Sequence, residues 1–132
     1  MNGNRALLDS NVIIDASQGL ISIESITSKY NYIYVSVISY VETLGFHFIS
    51  LEEESIVKQI LNNVEIINLN KAIADKAIEF RKIKKIKLPD AFVLSTASTL
   101  KADLVTSDIK EFQNIDKSIN LVIPKSIELE NE

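Results

Sequence analysis

Short runs of β-branched and aromatic residues alternate with longer stretches of helical periodicity along this chain, and that alternation narrows the fold more than any other feature. Arg5 to Leu8, Tyr32 to Val37, Val64 to Leu69, Asp103 to Thr106 and Asn120 to Ile123 each read as a strand. Helices are expected over Asn11 to Ser17, with Ser10 or Asn11 as cap, and over Ile21 to Lys29. A third runs from Ser39 to about Ile49. A fourth begins at Ser50, where Ser50 and Glu53 have capping-box spacing and Ile56, Val57, Ile60 and Leu61 form an apolar face. A fifth covers Lys71 to about Lys85 with Ile73, Ala77, Ile78 and Phe80 inward. Pro89 opens a sixth, because a first-turn N–H has no helical partner to lose. No charge occurs from Ala91 to Leu100, so that helix is expected to be buried on most sides.

Strands separated by helices return to the same end of a sheet, so they pair in parallel and need cover on both faces. The expected fold is α/β: a three-layer α/β/α arrangement around a central parallel sheet of four to five strands, as one domain over residues 1–132. In such sheets, sites form beyond the C-terminal strand ends, near the point where strand order reverses.

Four acids fall at that edge. Asp9 follows the first strand directly, and Asp108 comes two residues after the strand ending near Thr106. Glu42 lies early in the helix after the Tyr32 to Val37 strand, and Asp90 lies in the first turn of the uncharged helix. Each has an ordinary structural explanation. Glu42 stands three after Ser39, a capping-box spacing; Asp108 can cap a helix; Asp90 can complement a helix dipole; Asp9 can bond to the next turn's amides. Four together are harder to explain that way. Two unit charges 4 Å apart repel by about 4 kcal/mol at an effective dielectric of 20, and a divalent cation turns that repulsion into coordination.

Composition restricts which cation. The chain has no Cys and a single His, His47, so a metal held by protein must rest on oxygen. That favours a hard ion, Mg²⁺ or Mn²⁺. Such an ion can generate hydroxide, hold a phosphodiester and stabilise the leaving oxygen. The absence of Cys agrees with a reducing cytoplasm. No signal-peptide pattern is read at the N-terminus, and the apolar stretch from Tyr30 to Leu51 reads as strand plus helix, not as a membrane span. The net charge of −4 runs mildly against a nucleic-acid partner. Its distribution is uneven: Arg81, Lys82, Lys84, Lys85 and Lys87 place five cations in seven residues just before Asp90. They can complement a helix end, and they can also contact a nucleic-acid backbone without reading its sequence.

These residues also fall into a familiar order. Leu7-Leu8-Asp9-Ser10-Asn11 resembles the opening motif of PIN-domain ribonucleases. Ser36 to Glu42 resembles their second motif, Leu88-Pro89-Asp90 through Ala97 their third, and Leu104 to Asp108 with Phe112 their fourth. Order, spacing and length resemble the compact VapC-like toxins of VapBC (type II) toxin–antitoxin pairs, over residues 5 to about 123. The resemblance implies a metal-dependent endoribonuclease with Asp9, Glu42, Asp90 and Asp108 as its acids. It implies Asn11 and Thr106 or Ser107 as polar supports, a homodimer, and an antitoxin that blocks the site. Some relatives carry a further acid just after the fourth motif, where this chain has Ile109 and Lys110; a four-acid site is therefore expected, without Glu111.

Competing readings are a housekeeping PIN nuclease of RNA processing and a catalytically inactive binding subunit. A phosphoaspartate receiver would need an acidic pair after the first strand, where Ser10 follows Asp9. A haloacid-type phosphatase would need Asp where Asn11 stands. Tyr30, Tyr32, Tyr34 and Tyr40 can stack bases, but alternation with Ile33 and Val35 favours packed or half-buried roles for Tyr32 and Tyr34. The helix from Ser39 is apolar on many sides, which suits a second subunit or an antitoxin segment, and His47 reads as a surface or interface residue.

Overall fold

Asp9 ends the first strand and starts the first helix, and the same strand-to-helix step recurs along the chain. The structure is a computed structural model that describes residues 4–130. In chain order its elements are β1 (Arg5–Leu8), α1 (Ser10–Ser17), α2 (Ile23–Lys29), β2 (Tyr32–Ser36), α3 (Val37–Leu44), α4 (Leu51–Asn62) and β3 (Glu65–Ile67). They continue with α5 (Lys71–Ile83), α6 (Leu88–Leu100), β4 (Asp103–Val105), α7 (Ile109–Phe112), β5 (Leu121–Val122) and α8 (Pro124–Glu130).

The five strands form one sheet in the order β3-β2-β1-β4-β5, and every pairing is parallel. Ala6 stands opposite Ile33 on one side and Asp103 on the other. The pleat then sorts side chains by parity. Ala6, Leu8, Val35 and Val105 enter one core with α1, α2, α4 and α8. Leu7 and Leu104 enter the other with α5, α6 and α7. Strand order runs one way from β1 through β2 to β3 and the other way through β4 to β5. The reversal lies between β1 and β4.

Several expected boundaries move. Helix α3 starts at Val37, not Ser39, because Ser36 holds extended backbone and its hydroxyl accepts from the Ile38 amide at 3.1 Å. It stops at Leu44 instead of running to about Ile49. The Gly45 amide bonds back to the Val41 carbonyl at 2.9 Å, and a Cβ there would stand 2.9 Å from that oxygen. Phe46 and Phe48 consequently lie beyond the helix, packed edge to face at 5.3 Å. Asp9, rather than Ser10 or Asn11, caps α1. Ile78, expected inward, is 54% exposed, since it lies about 130° from the centre of the arc through Ile73, Ala77 and Phe80. Tyr32 is exposed, with the Arg5 guanidinium 5.9 Å from its ring centre, while Tyr34 is half-buried. Asp108 stands at the start of α7 as a cap position, though without a side-chain cap bond, and α8 is a helix the sequence pattern does not signal. Helix α8 buries Ile127, and its Glu128 accepts from the Ser22 amide at 2.6 Å.

Other local expectations hold. Ser50 caps α4 by accepting from the Glu53 amide at 3.2 Å, and Pro89 lies in the first turn of α6. Val57, Ile60 and Leu61 are buried, with Ile56 partly so. Among the described residues, no helix is long and apolar enough to cross a membrane.

Candidate functional site

The ends of β1 and β4 are laced together around Asp9. Its amide bonds to the Val105 carbonyl at 2.9 Å, and its carboxylate is 5% exposed. One carboxylate oxygen accepts from the Ser10 amide at 2.9 Å. The other accepts from the Thr106 hydroxyl at 2.8 Å and the Asn11 side-chain amide at 3.2 Å. Thr106 Oγ1 in turn accepts from the Asp108 amide at 3.0 Å, and Asn11 Oδ1 accepts from the Ser107 amide at 3.2 Å. Thus the three residues expected as supports, Asn11, Thr106 and Ser107, join one network with Asp9 and the backbone of Asp108. A buried carboxylate survives only with such donors.

The remaining acids ring this network. Asp90, half-buried, lies at the start of α6, while Glu42 on α3 and Asp108 before α7 are exposed. Their charges reach one another. Burial raises the Asp9 carboxyl above the usual carboxylate range; bonds from Thr106 and Ser10 oppose this, and Glu42 and Asp108 add to it. Asp90 is pushed up to about 7, first by burial, then by Asp9, Glu111 and Glu42, and by a hydrogen bond shared with Glu111. Burial and neighbouring negative charge both favour the neutral form of a carboxyl, and at Asp90 they act together.

Glu111 is the residue that sequence reasoning set aside. It stands three residues after Asp108 on the one turn of α7, so the two share a helix face. That spacing was the available signal, and it was read as a helix cap.

Coulomb coupling and coordination have different reach. The acids influence one another, yet among the described residues no group of three or more His, Cys, Asp or Glu side chains is placed to hold a metal ion. Coordination of Mg²⁺ needs oxygens at about 2.1 Å. The donor set fits a hard divalent ion in chemistry, being all oxygen and short of positive charge. Glu42 and Asp108 are the exposed members of the set.

The basic segment borders this edge. Arg81, Lys82, Lys85 and Lys87 are exposed, and a cavity of about 430 Å³ is lined by Arg81, Lys85, Ile86, Lys87 and Glu111. Lys84 differs: it is half-buried, and its ammonium donates to the carbonyls of Lys110 at 2.7 Å and Gln113 at 3.0 Å. Another cavity, of about 450 Å³, touches Lys101, Asp103 and Asn120 at the starts of β4 and β5, the opposite edge of the sheet. Tyr30 is buried there and donates to Asp103 at 2.9 Å, which explains its conformation without a stacked base.

In all-parallel α/β proteins, ligands bind where strand order reverses, and that is where Asp9 and its neighbours lie. The chain belongs to the PIN domain family, whose model matches residues 6–118. No curated protein matches it significantly. Among solved structures, it is similar to a chain of a toxin–antitoxin complex from Klebsiella pneumoniae, with 28% identity, a TM-score of 0.73, and coverage of 90% of this chain and 97% of that one. It is also similar in fold to VapBC2 from Rickettsia felis, bound there to a DNA fragment from its promoter, with 24% identity, a TM-score of 0.74, and 90% and 98% coverage. The likeness extends to VapBC-1 from nontypeable Haemophilus influenzae, with 22% identity, a TM-score of 0.72, and 92% and 98% coverage.

Proposed function

We propose that this chain is a divalent-metal-dependent endoribonuclease, a single PIN nuclease domain over residues 1–132 acting as the toxin of a toxin–antitoxin pair. One observation carries the reading: Asp9, Glu42, Asp90, Asp108 and Glu111 bear on one another electrostatically at the switch point, beside a basic rim. Family membership and the likeness to chains of toxin–antitoxin complexes support it.

Asp9, Asp90, Asp108 and Glu42 are the proposed metal-holding acids, with Glu111 as a fifth. Mg²⁺ or Mn²⁺, when bound, supplies an activated water and neutralises charge on the phosphodiester. The chain's own residues do the rest. Thr106 and Asn11 fix the Asp9 oxygens, so its remaining lone pairs point consistently. Asp90, raised toward neutrality by burial and by its acidic neighbours, would be drawn back to its anionic form by a bound cation. Arg81, Lys82, Lys85 and Lys87 hold the RNA backbone without base discrimination.

The other expectations remain proposals of the same kind. Val41 is 64% exposed, Ile49 86% and Leu51 85%, an apolar run that supplies surface for an antitoxin segment and for the second copy of a homodimer. A cytoplasmic setting follows from an RNA target. Among the described residues no three acids are placed together to hold an ion, which supports one competing reading, an inactive binding subunit.

The test is cleavage of a mixed cellular RNA pool by the purified protein with Mg²⁺, Mn²⁺ or chelator, beside Asp90→Asn. Metal-dependent cutting lost in the variant supports the nuclease. Cutting that persists in chelator, or full activity in Asp90→Asn, overturns the acid site; no cutting in any metal moves the assignment to a binding subunit.

A further inference from the structure

The cation at position 84 does something its neighbours do not. Helix α7 has four residues, too few to sustain itself by helical propensity. Its N-terminal Asp108 makes no side-chain cap. What holds it is external. Phe112 is buried in the core shared with α5 and α6, the Asp108 amide donates to Thr106, and the Lys84 ammonium takes the carbonyls of Lys110 and Gln113. Those carbonyls lie at the C-terminal end of the turn, where helical oxygens lack partners and a cation is favoured. An ammonium has three donors, and two are already engaged. Lys84 is therefore poorly disposed to grip a phosphate, unlike the exposed Lys85 and Lys87 on the rim cavity.

We infer that Lys84 is a positioning residue, bonding the carbonyls of Lys110 and Gln113 so that α7 holds Glu111 against Asp90 and keeps Asp108 at the end of β4. The inference rests on the proposed nuclease site for its catalytic consequence, but not for its structural one. A charge-assisted pair from the α5–α6 connection reaches across to the segment that follows β4, and two acids of the site ride on that segment. Small displacements of ligating groups are costly to rate.

The experiment compares full-length Lys84→Met, Lys84→Arg and Lys85→Met. Three readouts are used: amide exchange at Gln113, whose N–H bonds to the Ile109 carbonyl at 2.9 Å; calorimetric affinity for Mn²⁺ alone; and cleavage of a labelled RNA oligonucleotide drawn from sites the wild type cuts in the cellular pool. Lys84→Met is expected to speed Gln113 exchange and weaken Mn²⁺ about tenfold each, and to lower kcat about tenfold with KM and salt slope unchanged. Lys84→Arg restores most of each. Lys85→Met flattens the salt dependence of binding by about one phosphate contact and leaves Gln113 exchange alone. If Lys84→Met instead flattens the salt slope while exchange, Mn²⁺ affinity and kcat hold, Lys84 is a phosphate contact and the inference fails. A wild type that cuts no RNA overturns the nuclease reading. Exchange and Mn²⁺ binding then still decide the strut, and unchanged values in Lys84→Met overturn it.

Discussion

Replacing Asp90 by Asn removes one of the mutually repelling carboxyls while keeping an N–H donor for Glu111. The Asp90 carboxyl rises from 3.8 to about 7 in the folded protein. A shift of about three units corresponds to about 4 kcal/mol at 1.36 kcal/mol per unit. Asp90 is only half-buried, and solvent screening reduces this to about 1–2 kcal/mol. The sign follows from proton binding. Between about pH 4 and 7 the folded state holds a proton that the unfolded state has released, so stability falls as pH rises through that window. Above pH 7 the wild type carries the whole penalty; at pH 5 it carries about a third. Metal-free Asp90→Asn should therefore melt about 5 °C above wild type at pH 8, with the gain shrinking to about a third at pH 5. Differential scanning calorimetry in chelator at both pH values measures this directly. A variant no more stable than wild type at pH 8, or equally stabilised at pH 5 and 8, would refute the claim that burial and acidic neighbours hold Asp90 at a raised pKa.

Other perturbations probe separate parts of the molecule. Adding Mg²⁺ or Mn²⁺ at pH 8 should raise the melting temperature of wild type and much less that of Asp90→Asn, because a ligand binding only the folded state stabilises it; equal shifts in both would place the ion elsewhere. Thr106→Val removes the hydroxyl bonded to Asp9 and to the Asp108 amide. It should cost about 1–3 kcal/mol in urea unfolding and raise the Asp9 carboxyl further, read by carboxyl-carbon NMR; an unmoved Asp9 resonance would contradict the network. Tyr30→Phe strips the hydroxyl from buried Asp103 at the opposite sheet edge. A loss of about 1–3 kcal/mol with cleavage unchanged is expected, and reduced kcat at equal folded fraction would mean the two edges are coupled.

How far the sequence discloses this molecule depends on the length scale of each signal. The sheet is legible because the pleat imposes a period of two on runs such as Tyr32 to Ser36, and β-branched residues fill it. The grouping of Asp9, Asn11, Thr106 and Ser107 is legible because parallel strands on either side of a reversal end at one edge. Local caps are less so. The sequence points to Ser39 as the start of α3, but the chain uses Ser36, leaving Ser39 buried with its hydroxyl unpartnered. Periodicity also needs several turns to register, so the single turn of α7 shows in the sequence only as a candidate cap at Asp108, which does not reveal that Glu111 lies beside Asp90.

That blind spot falls where function concentrates. A one-turn helix cannot be stabilised by its own residues, so its position is set by groups distant in sequence: Phe112 in the core, Thr106 at the strand end, and Lys84 from 26 residues away. The same dependence makes α7 the softest support of the acid cluster, since losing any one tether frees a segment that carries two carboxyls. Asp9, by contrast, is fixed from both sides of the strand reversal and cannot move without opening the sheet edge. The site therefore pairs a rigid acid with adjustable ones. The proposed metal site would therefore draw on Asp9 as its fixed oxygen donor, while the placement of Asp108 and Glu111 would follow α7 and its tethers.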